Sequence, residues 1–234
     1  MNTALFSCMT CKSRERSALS DIPLDVLDEL NKTRVTNIYK KGQTIFYEGN
    51  RPYGVYCMTS GKVKLVKHAP DGKNFIVKIA KQGDLLGYRA FFTNELYSST
   101  AEVLEDSMVC FIDKDKFFDL IRKYPPFSLK LLAMMGHDIK CAEENSRDMA
   151  YKSSQERIVE TILSLNDVYG QKDENSIKVD IQLSRDDLAS LIGTTTETTV
   201  RLLTWLKEKK LITMKSKYIY INDLDGLKSL VPDY

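Results

Sequence analysis

The hydrophobic pattern changes its period along the chain, and each change predicts a different kind of structure. In residues 35–115, β-branched and aromatic side chains alternate with polar ones in short runs that end at glycine-containing turns such as Pro70-Asp71-Gly72. This pattern is typical of an antiparallel barrel or jelly roll. Upstream, residues 21–32 carry leucines at helical spacing, which predicts a short helix packed on the barrel.

A second pattern follows the Pro125-Pro126 pair. Apolar or small residues recur at alternating spacings of three and four, at Leu132, Met135, Ile139, Ala142, Ser146 and Met149. This is the heptad seam of a coiled coil, and a helix over residues 127–149 would be about 35 Å long. The helix could pack against its own barrel. The narrow seam with charged residues around it favours a parallel dimerisation helix instead.

The pattern after Ser153 predicts a separate small domain. It gives an amphipathic helix, a polar loop at 171–176, a strand at 177–183 and two short helices joined at Gly193. Ser184 and Asp187 form an S-x-x-D capping box for the first short helix, and Thr194 and Glu197 have the same spacing before the second. With a strand pair at 211–221, this is the layout of a winged helix-turn-helix.

One face of the second short helix carries the side chains with candidate chemistry. Glu197, Val200, Arg201 and Thr204 lie at i, i+3, i+4 and i+7, opposite a stripe of apolar residues. Arginine can donate two hydrogen bonds to guanine, and glutamate can accept one from cytosine, both in the major groove. The alternative is an ordinary Glu-Arg pair on a solvated helix. The capped turn upstream favours the DNA-reading interpretation.

Charge supports a local nucleic-acid surface rather than a global one. Lys and Arg number 34 against 32 Asp and Glu, so the net charge of +2 cannot hold the whole chain on DNA. Between Arg201 and Lys217 there are six cations and one acid, Glu208. The predicted DNA contacts combine the helix face with phosphate donors beside it: Thr196, Glu197, Thr198, Val200, Arg201, Thr204, Lys215, Ser216 and Lys217.

Other classes of protein have little support. No run approaches the roughly 18 to 20 apolar residues of a membrane span, and the N-terminal apolar run is too short for a signal peptide, so we expect a cytoplasmic protein with no membrane partner. The five cysteines are an odd number and thinly spread, which suits reduced thiols, a metal or cluster site, or a redox switch. The two histidines are far apart and give no metal-binding pattern.

The strings SGKVKL, KQGDLLGY, VLEDSMVCFI, SRDDLASLIGTTTETTVRLL and SKYIYI resemble the Crp/Fnr superfamily of bacterial transcription regulators over nearly the full length. The resemblance implies an α+β chain with an N-terminal cyclic-nucleotide-binding-like β jelly roll, a long dimerisation helix and a C-terminal winged helix-turn-helix. Its segments would be a Cys-containing N-terminus at 1–20, a sensor barrel at 21–125, the dimerisation helix at 126–152 and the DNA-binding domain at 153–234. It also implies a homodimer that binds a palindromic operator in double-stranded DNA and contacts RNA polymerase.

The sequence departs from the superfamily members that bind cyclic AMP. Those members carry Gly-Glu-Leu after the Gly-Asp turn, and an arginine before a small hydroxyl residue about ten positions later. This chain has Gly87-Tyr88-Arg89 and Ser98-Ser99-Thr100 at those places. We therefore do not expect cyclic AMP binding of the usual kind.

The cysteines depart from the oxygen sensors of the superfamily. Those sensors hold a [4Fe-4S] cluster with a C-x-x-C pair, a third cysteine six residues on, and a fourth in the last barrel strands. Cys8, Cys11 and Cys110 match three of these places, and Ser17 stands at the remaining one. A cluster with a fourth ligand from elsewhere, a dithiol switch and cysteines that only pack all remain open.

The sequence thus predicts a homodimeric, sequence-specific DNA-binding transcription regulator that is not an enzyme and whose effector is unidentified. One alternative is a ligand-binding module that regulates a protein partner. Another is a redox enzyme that uses the Cys8 to Cys11 motif, although this motif lacks the strand-to-helix context of thioredoxin-like proteins.

Overall fold

The computed structural model describes residues 7–69 and 72–231, which form two compact units. The first consists of Met1–Gly72 and Ile76–Lys140, and the second of Lys73–Phe75 and Cys141–Tyr234. Two residues of the predicted turn at 70–72 lie outside the described residues. The four-segment division made from the sequence stays a prediction.

The first unit is a β domain with helices at its ends. Its strands are β1 Val35–Tyr39, β2 Thr44–Phe46, β3 Gly54–His68, β4 Asn74–Ala80, β5 Leu85–Leu86 and β6 Thr100–Asp113. The strand order is β1-β6-β3-β4, with β2 paired to β6 and β5 paired to β3. The long strands β3 and β6 run antiparallel through the centre, with Cys57 opposite Cys110. The predicted β-rich domain is confirmed.

In the described residues, a 3-10 turn at Arg14–Arg16 and four α-helices accompany these strands: α1 Leu24–Thr33, α2 Arg89–Thr93, α3 Lys114–Lys123 and α4 Pro125–Tyr151, whose residues from Cys141 onward belong to the second unit. Two prolines occupy the first turn of α4, where the missing N–H groups cost no intrahelical hydrogen bond. Phe117 and Phe127 are fully buried, and their rings meet edge to face with centroids 5.7 Å apart. This contact anchors the start of α4 in the apolar core beside α3.

The second unit is a small α/β domain. Its elements are α5 Ser154–Tyr169, β7 Gly170–Asp173, β8 Ser176–Val179, α6 Arg185–Ile192, α7 Thr196–Glu208, β9 Ile212–Lys215, β10 Tyr218–Ile221 and α8 Leu224–Lys228. The strand order is β7-β8-β10-β9. Apolar faces of α5, α6 and α7 are buried, which confirms the predicted helix-turn-helix with its strand pair.

The sequence interpretation placed two boundaries wrongly in this unit. The predicted loop at 171–176 contains most of strand β7, which pairs with β8 through Gln171 and Lys178. The exposed, polar residues of this hairpin give no apolar alternation that a pattern could detect. The predicted strand at 177–183 ends at Val179, and the Asp180 N–H that follows it donates to the Tyr169 carbonyl at 2.9 Å.

Candidate functional site

The turn between α6 and α7 is held by local hydrogen bonds. Ser184 caps α6 with both arms of the predicted box: the Asp187 N–H donates to Ser184 Oγ at 3.0 Å, and the Ser184 N–H donates to Asp187 Oδ2 at 2.9 Å. Helix α6 ends at Gly193, whose φ is +61°. This left-handed conformation favours glycine, while the Met149 side chain near its Cα could move aside for a Cβ.

The start of α7 differs from the prediction. The N-cap is Thr195 rather than Thr194, and its hydroxyl accepts the Thr198 N–H at 3.2 Å. Thr194 is used in the turn, where its N–H donates to the Ala189 carbonyl at 3.1 Å. Because the helix begins one residue later, no glutamate stands at the third helical position, and the predicted T-x-x-E capping box is wrong.

A hydrogen bond also fixes α7 against α6. The Thr196 hydroxyl donates to Asp186 Oδ1 at 2.6 Å. The Glu197 carboxylate accepts hydrogen bonds from its own N–H and from Thr195, and these bonds lower its pKa, with Arg201 adding a smaller effect. The lowered pKa keeps this exposed carboxylate ionised near the helix N-terminus.

The predicted DNA-reading residues form one exposed face of α7. Glu197, Val200, Arg201 and Thr204 are exposed, and Thr196 and Thr198 are half-buried. The opposite stripe of Thr199, Leu202, Leu203 and Leu206 is buried. Within the described residues no ion pair joins Glu197 to Arg201. Arg201 Nη2 instead donates to the Thr198 hydroxyl at 3.3 Å, and most of its donors face solvent.

The predicted phosphate contacts Lys215, Ser216 and Lys217 lie at the tip of the β9–β10 hairpin, and all three are exposed. Ser216 adopts φ of +57°, the left-handed conformation that closes this tight turn. The Lys215 ammonium lies 4.7 Å from the centroid of the Tyr220 ring, which orients that cation along the hairpin. The hairpin thus presents two cations at one tip.

The predicted dimerisation residues are mostly unburied on α4. Leu132 and Ile139 are 62% and 58% exposed, and Ala142 and Ser146 are also exposed. Met135 and Met149 are half-buried, since Met135 packs on the apolar core of the first unit and Met149 contacts Gly193. Leu129, which the heptad count did not include, is 66% exposed.

The cysteine segment and the barrel enclose a cavity of about 340 Å³ that Cys8, Cys11 and Cys110 all line. Arg34 Nη1 donates to Cys110 Sγ at 3.2 Å, and the Thr59 hydroxyl lies 3.4 Å from the same sulfur. Burial raises the pKa of the Cys8 thiol, and Arg34 offsets part of that rise. The structure therefore brings the three predicted cysteines to one place.

These residues do not fit a cluster with four thiolate ligands. Ser17 does not line the cavity, and its buried hydroxyl donates to the Arg14 carbonyl at 2.8 Å and accepts the Leu19 N–H at 3.1 Å. Cys57 belongs to the apolar core, where burial strongly raises the pKa of its thiol, and Cys141 does not line the cavity. Over residues 7–69 and 72–231, no three Cys, His, Asp or Glu side chains gather as a metal site.

The stretch that departs from cyclic AMP binders surrounds a hollow of only about 30 Å³. Its neighbours are tied to α4: the Tyr88 hydroxyl donates to Asp138 Oδ2 at 2.7 Å, and Lys78 Nζ lies 2.9 Å from Asp138 Oδ1. Burial raises the Asp138 pKa, but Lys78 and these hydrogen bonds outweigh it, and the net pKa is lowered. Small-molecule pockets are usually roughly 300 to 1,000 Å³, so this hollow is much smaller than a typical ligand site.

The sequence interpretation missed Arg34, Lys78 and Asp138. Arg34 lies 76 residues from Cys110, and Asp138 lies 60 residues from Lys78. Arginine, lysine and aspartate are common surface residues, and local periodicity carries no information about partners that lie far along the chain. A signal existed only for the tyrosine at position 88, which stands where cyclic AMP binders carry an acid.

In the described part of the chain, no helix is long and apolar enough to cross a bilayer. A β-rich domain, a long helix with exposed apolar side chains, and a winged helix-turn-helix with a polar exposed face together define a DNA-binding regulator.

Comparison with known proteins identifies the family of this regulator. A model described as a cyclic nucleotide-binding domain matches residues 36–124, and a Crp-like helix-turn-helix domain matches residues 156–230. The anaerobic regulatory protein of Haemophilus influenzae is 30% identical over 212 residues, which are 91% of this chain and 81% of that protein. The fumarate and nitrate reduction regulatory protein of Vibrio cholerae is 29% identical over 203 residues, 87% of this chain and 80% of that protein.

Solved structures share the fold. FixK2 from Bradyrhizobium japonicum aligns with a TM-score of 0.73 at 21% identity, over 85% of this chain and 97% of that one. The c-di-GMP responsive regulator CLP of Xanthomonas campestris aligns with a TM-score of 0.74 at 16% identity, over 85% and 99%. The chain belongs to the Crp/Fnr family and is a DNA-binding transcription regulator. Its relatives are transcription regulators rather than enzymes, and regulators of this family bind DNA and act as dimers.

Proposed function

We propose that the protein is a homodimer that binds a palindromic operator, with α7 in the major groove and the β9–β10 hairpin on the phosphate backbone. The observation that carries this proposal is the exposed face of Glu197, Val200, Arg201 and Thr204 opposite a buried stripe, on a helix presented by a capped turn. The exposed cations Lys215 and Lys217 supply sequence-independent attraction. Thr196, Thr198 and Ser216 are neutral donors for phosphate oxygens.

The exposed seam of α4 supports the dimer. An α-helix with Leu132 and Ile139 more than half exposed at heptad positions leaves apolar surface that a second copy of the same helix would cover. We assign residues 126–152 to dimerisation, 21–125 to the sensor domain, 153–234 to DNA binding and 1–20 to the cysteine segment. A regulator of this kind acts in the cytoplasm, contacts RNA polymerase and has no catalytic role.

Selection from a pool of random palindromic duplexes tests this function. The proposal expects one enriched sequence with two-fold symmetry, bound as a dimer, with affinity that falls steeply as salt rises. Enrichment of no sequence, or binding that does not change between 50 and 200 mM salt, would contradict it.

A second function rests on the cavity that Cys8, Cys11 and Cys110 share. The Arg34 guanidinium donates to the Cys110 sulfur at 3.2 Å, so a cation lies at the cavity that the three cysteines share. Oxidation by hydrogen peroxide would join the Cys110 sulfur to that of Cys8 or Cys11: the two thiols give up two electrons and two protons, and the peroxide leaves as two waters. The sensor would then report oxidants without a metal.

The thiol function is tested by operator affinity measured on reduced, peroxide-treated and re-reduced protein. The reversible change should disappear in Cys110→Ser and persist in Cys141→Ser, whose residue lies outside the cavity. Iron and acid-labile sulfide analysis of anaerobically purified protein should find no stoichiometric cluster. A Cys110→Ser variant that still responds would contradict the thiol function.

A further inference from the structure

Helix α7 leaves one large apolar side chain in solvent. Val200 is 46% exposed, while Leu202, Leu203 and Leu206 are buried and Trp205 is half-buried. All residues of this helix are described. Val200 lies between two charged readers on the exposed face, three residues after Glu197 and one before Arg201. In the proposed complex with DNA, the apolar surface of Val200 would therefore face the edges of the bases.

Neither packing nor helix stability accounts for a valine at this position. The side chain is not part of the buried stripe, so no core contact requires it. Valine is also a poorer helix former than alanine, leucine, lysine or glutamine, because branching at Cβ restricts its χ1 angle against the preceding turn. A solvated helix position would be better served by one of those residues.

The remaining residues of the face have other tasks. Glu197 is held as an ionised acceptor by the hydrogen bonds from its own N–H and from Thr195. Arg201 keeps most of its donors toward solvent. The Thr204 hydroxyl donates to the Val200 carbonyl at 2.9 Å, so it is engaged within the helix. Val200 is thus the member of the face that offers no hydrogen bond and two fixed methyl groups.

In the major groove, the C5-methyl of thymine is the apolar group that base edges present. Cytosine carries only a hydrogen at C5, and at C4 the two bases present an amino donor and a carbonyl acceptor, neither of which valine can pair. A serine or threonine hydroxyl would be compatible with either base. A valine therefore selects for thymine through apolar contact with the C5-methyl group.

We propose that Val200 is a specificity-determining residue that reads a thymine C5-methyl next to the G·C pair contacted by Arg201 and Glu197. The inference rests on the proposed DNA-binding function and adds to it one base identity. The operator half-site is then expected to contain a thymine beside its arginine-read guanine or beside the paired cytosine.

Removing a single methyl group from the DNA tests the role of Val200 directly. In the operator selected by the wild-type protein, each thymine is replaced in turn by deoxyuridine in both half-sites, which removes only the methyl group. At the thymine that Val200 contacts, the operator affinity should fall about fourfold per half-site, which is the factor expected when one methyl-sized apolar group is no longer buried. Val200→Ser should bind the thymine and uracil operators equally, and Val200→Thr, which keeps one methyl, should retain part of the preference.

A matched control is Val168→Ser on α5, because Val168 is equally exposed, at 47%, but lies on another helix. This variant should keep the wild-type thymine-to-uracil ratio. If wild-type protein selects a palindrome but shows no uracil effect at any thymine, or if Val200→Ser keeps the ratio, the inference is wrong and the proposed function stands. If wild-type protein selects no palindrome, both are wrong.

Discussion

The Tyr88 hydroxyl donates to the Asp138 carboxylate at 2.7 Å, and this bond joins the hollow of the β domain to helix α4. Lys78 completes the group with an ion pair to the other carboxylate oxygen at 2.9 Å. In the described residues around this hollow, protein side chains thus supply both the negative and the positive charge. The first part of α4 is fixed to the β domain by chemistry internal to the chain.

Removing the Asp138 carboxylate should therefore destabilise the first unit. Asp138→Ala leaves Tyr88 and Lys78 without their acceptor, and we expect a loss of about 1 to 3 kcal/mol in the free energy of unfolding, measured by urea titration. Glu143→Gln, an exposed change on the same helix, should stay within about 0.5 kcal/mol of wild type. An Asp138→Ala midpoint equal to that of wild type would show that the contact contributes nothing.

The same carboxylate gives a pH dependence with a defined sign. The folded-state pKa of Asp138 lies below its ordinary value of about 3.9, so the unfolded chain binds the proton more readily. Its contribution to stability is present above about pH 4 and is lost as the pH falls through the lower folded-state pKa. The stability difference between wild type and Asp138→Asn should accordingly shrink below pH 4 in acid titrations of urea midpoints.

Arg201 should contribute mainly to sequence discrimination. Its exposed guanidinium can donate two hydrogen bonds to guanine, so Arg201→Ala should lose about 1 to 3 kcal/mol on the selected operator and much less on random duplex. Fluorescence anisotropy with both duplexes at one salt concentration measures the two losses. Equal losses on both would make Arg201 a phosphate contact rather than a base reader.

Lys217 should contribute attraction without discrimination. Lys217→Ala at the hairpin tip should weaken binding to all duplexes, and it should reduce the slope of log affinity against log salt by about one if the ammonium meets a phosphate. Lys228→Ala is the control, since Lys228 is exposed on α8 away from the hairpin. An unchanged slope in Lys217→Ala places that lysine outside the interface.

Ile139 should be central to assembly. Ile139→Asp would place two like charges in the proposed seam of the dimer, and we expect monomers with weak operator binding, because each copy then holds one half-site. Ala133→Asp adds the same charge to an exposed position of α4 away from the seam and should remain dimeric. Light scattering measures the mass, and a dimer in both variants would contradict the seam.

The proposed dimer would also set the geometry of the operator. A two-fold dimer with one recognition helix per copy places its half-sites about 34 Å apart, or one turn of DNA. Inserting about five base pairs between the half-sites of the selected operator turns them to opposite sides of the duplex. Affinity should then fall to that of a single half-site.

Sequence patterns were informative where the contacts are local. The Ser184 to Asp187 capping box lies within one turn of helix, and the period of the strands follows from alternate burial, so both could be predicted. The cap of α7 could not be placed to the residue, because three consecutive threonines offer equivalent side chains. Only the hydrogen bond from the Thr194 N–H to Ala189 assigns Thr194 to the turn.

Long-range polar contacts could not be predicted from the sequence pattern, for a different reason. Arg34 and Cys110 meet because β1 pairs with β6 and places Thr36 opposite Cys110, with Arg34 just before the strand. That register depends on the whole sheet. The exposed seam of α4 is the opposite case, since heptad spacing predicted which residues share a face but could not say that Met135 turns partly toward the core.

Asp138 is tethered to the chain, so its carboxylate faces Lys78 and Tyr88 at an effective concentration that the fold sets and that the cell does not change. A free anion would have to outcompete this built-in ligand before it could bind beside Lys78 and Tyr88. An anionic effector could therefore act at this end of the domain only if its binding free energy exceeded that of the Asp138 contacts.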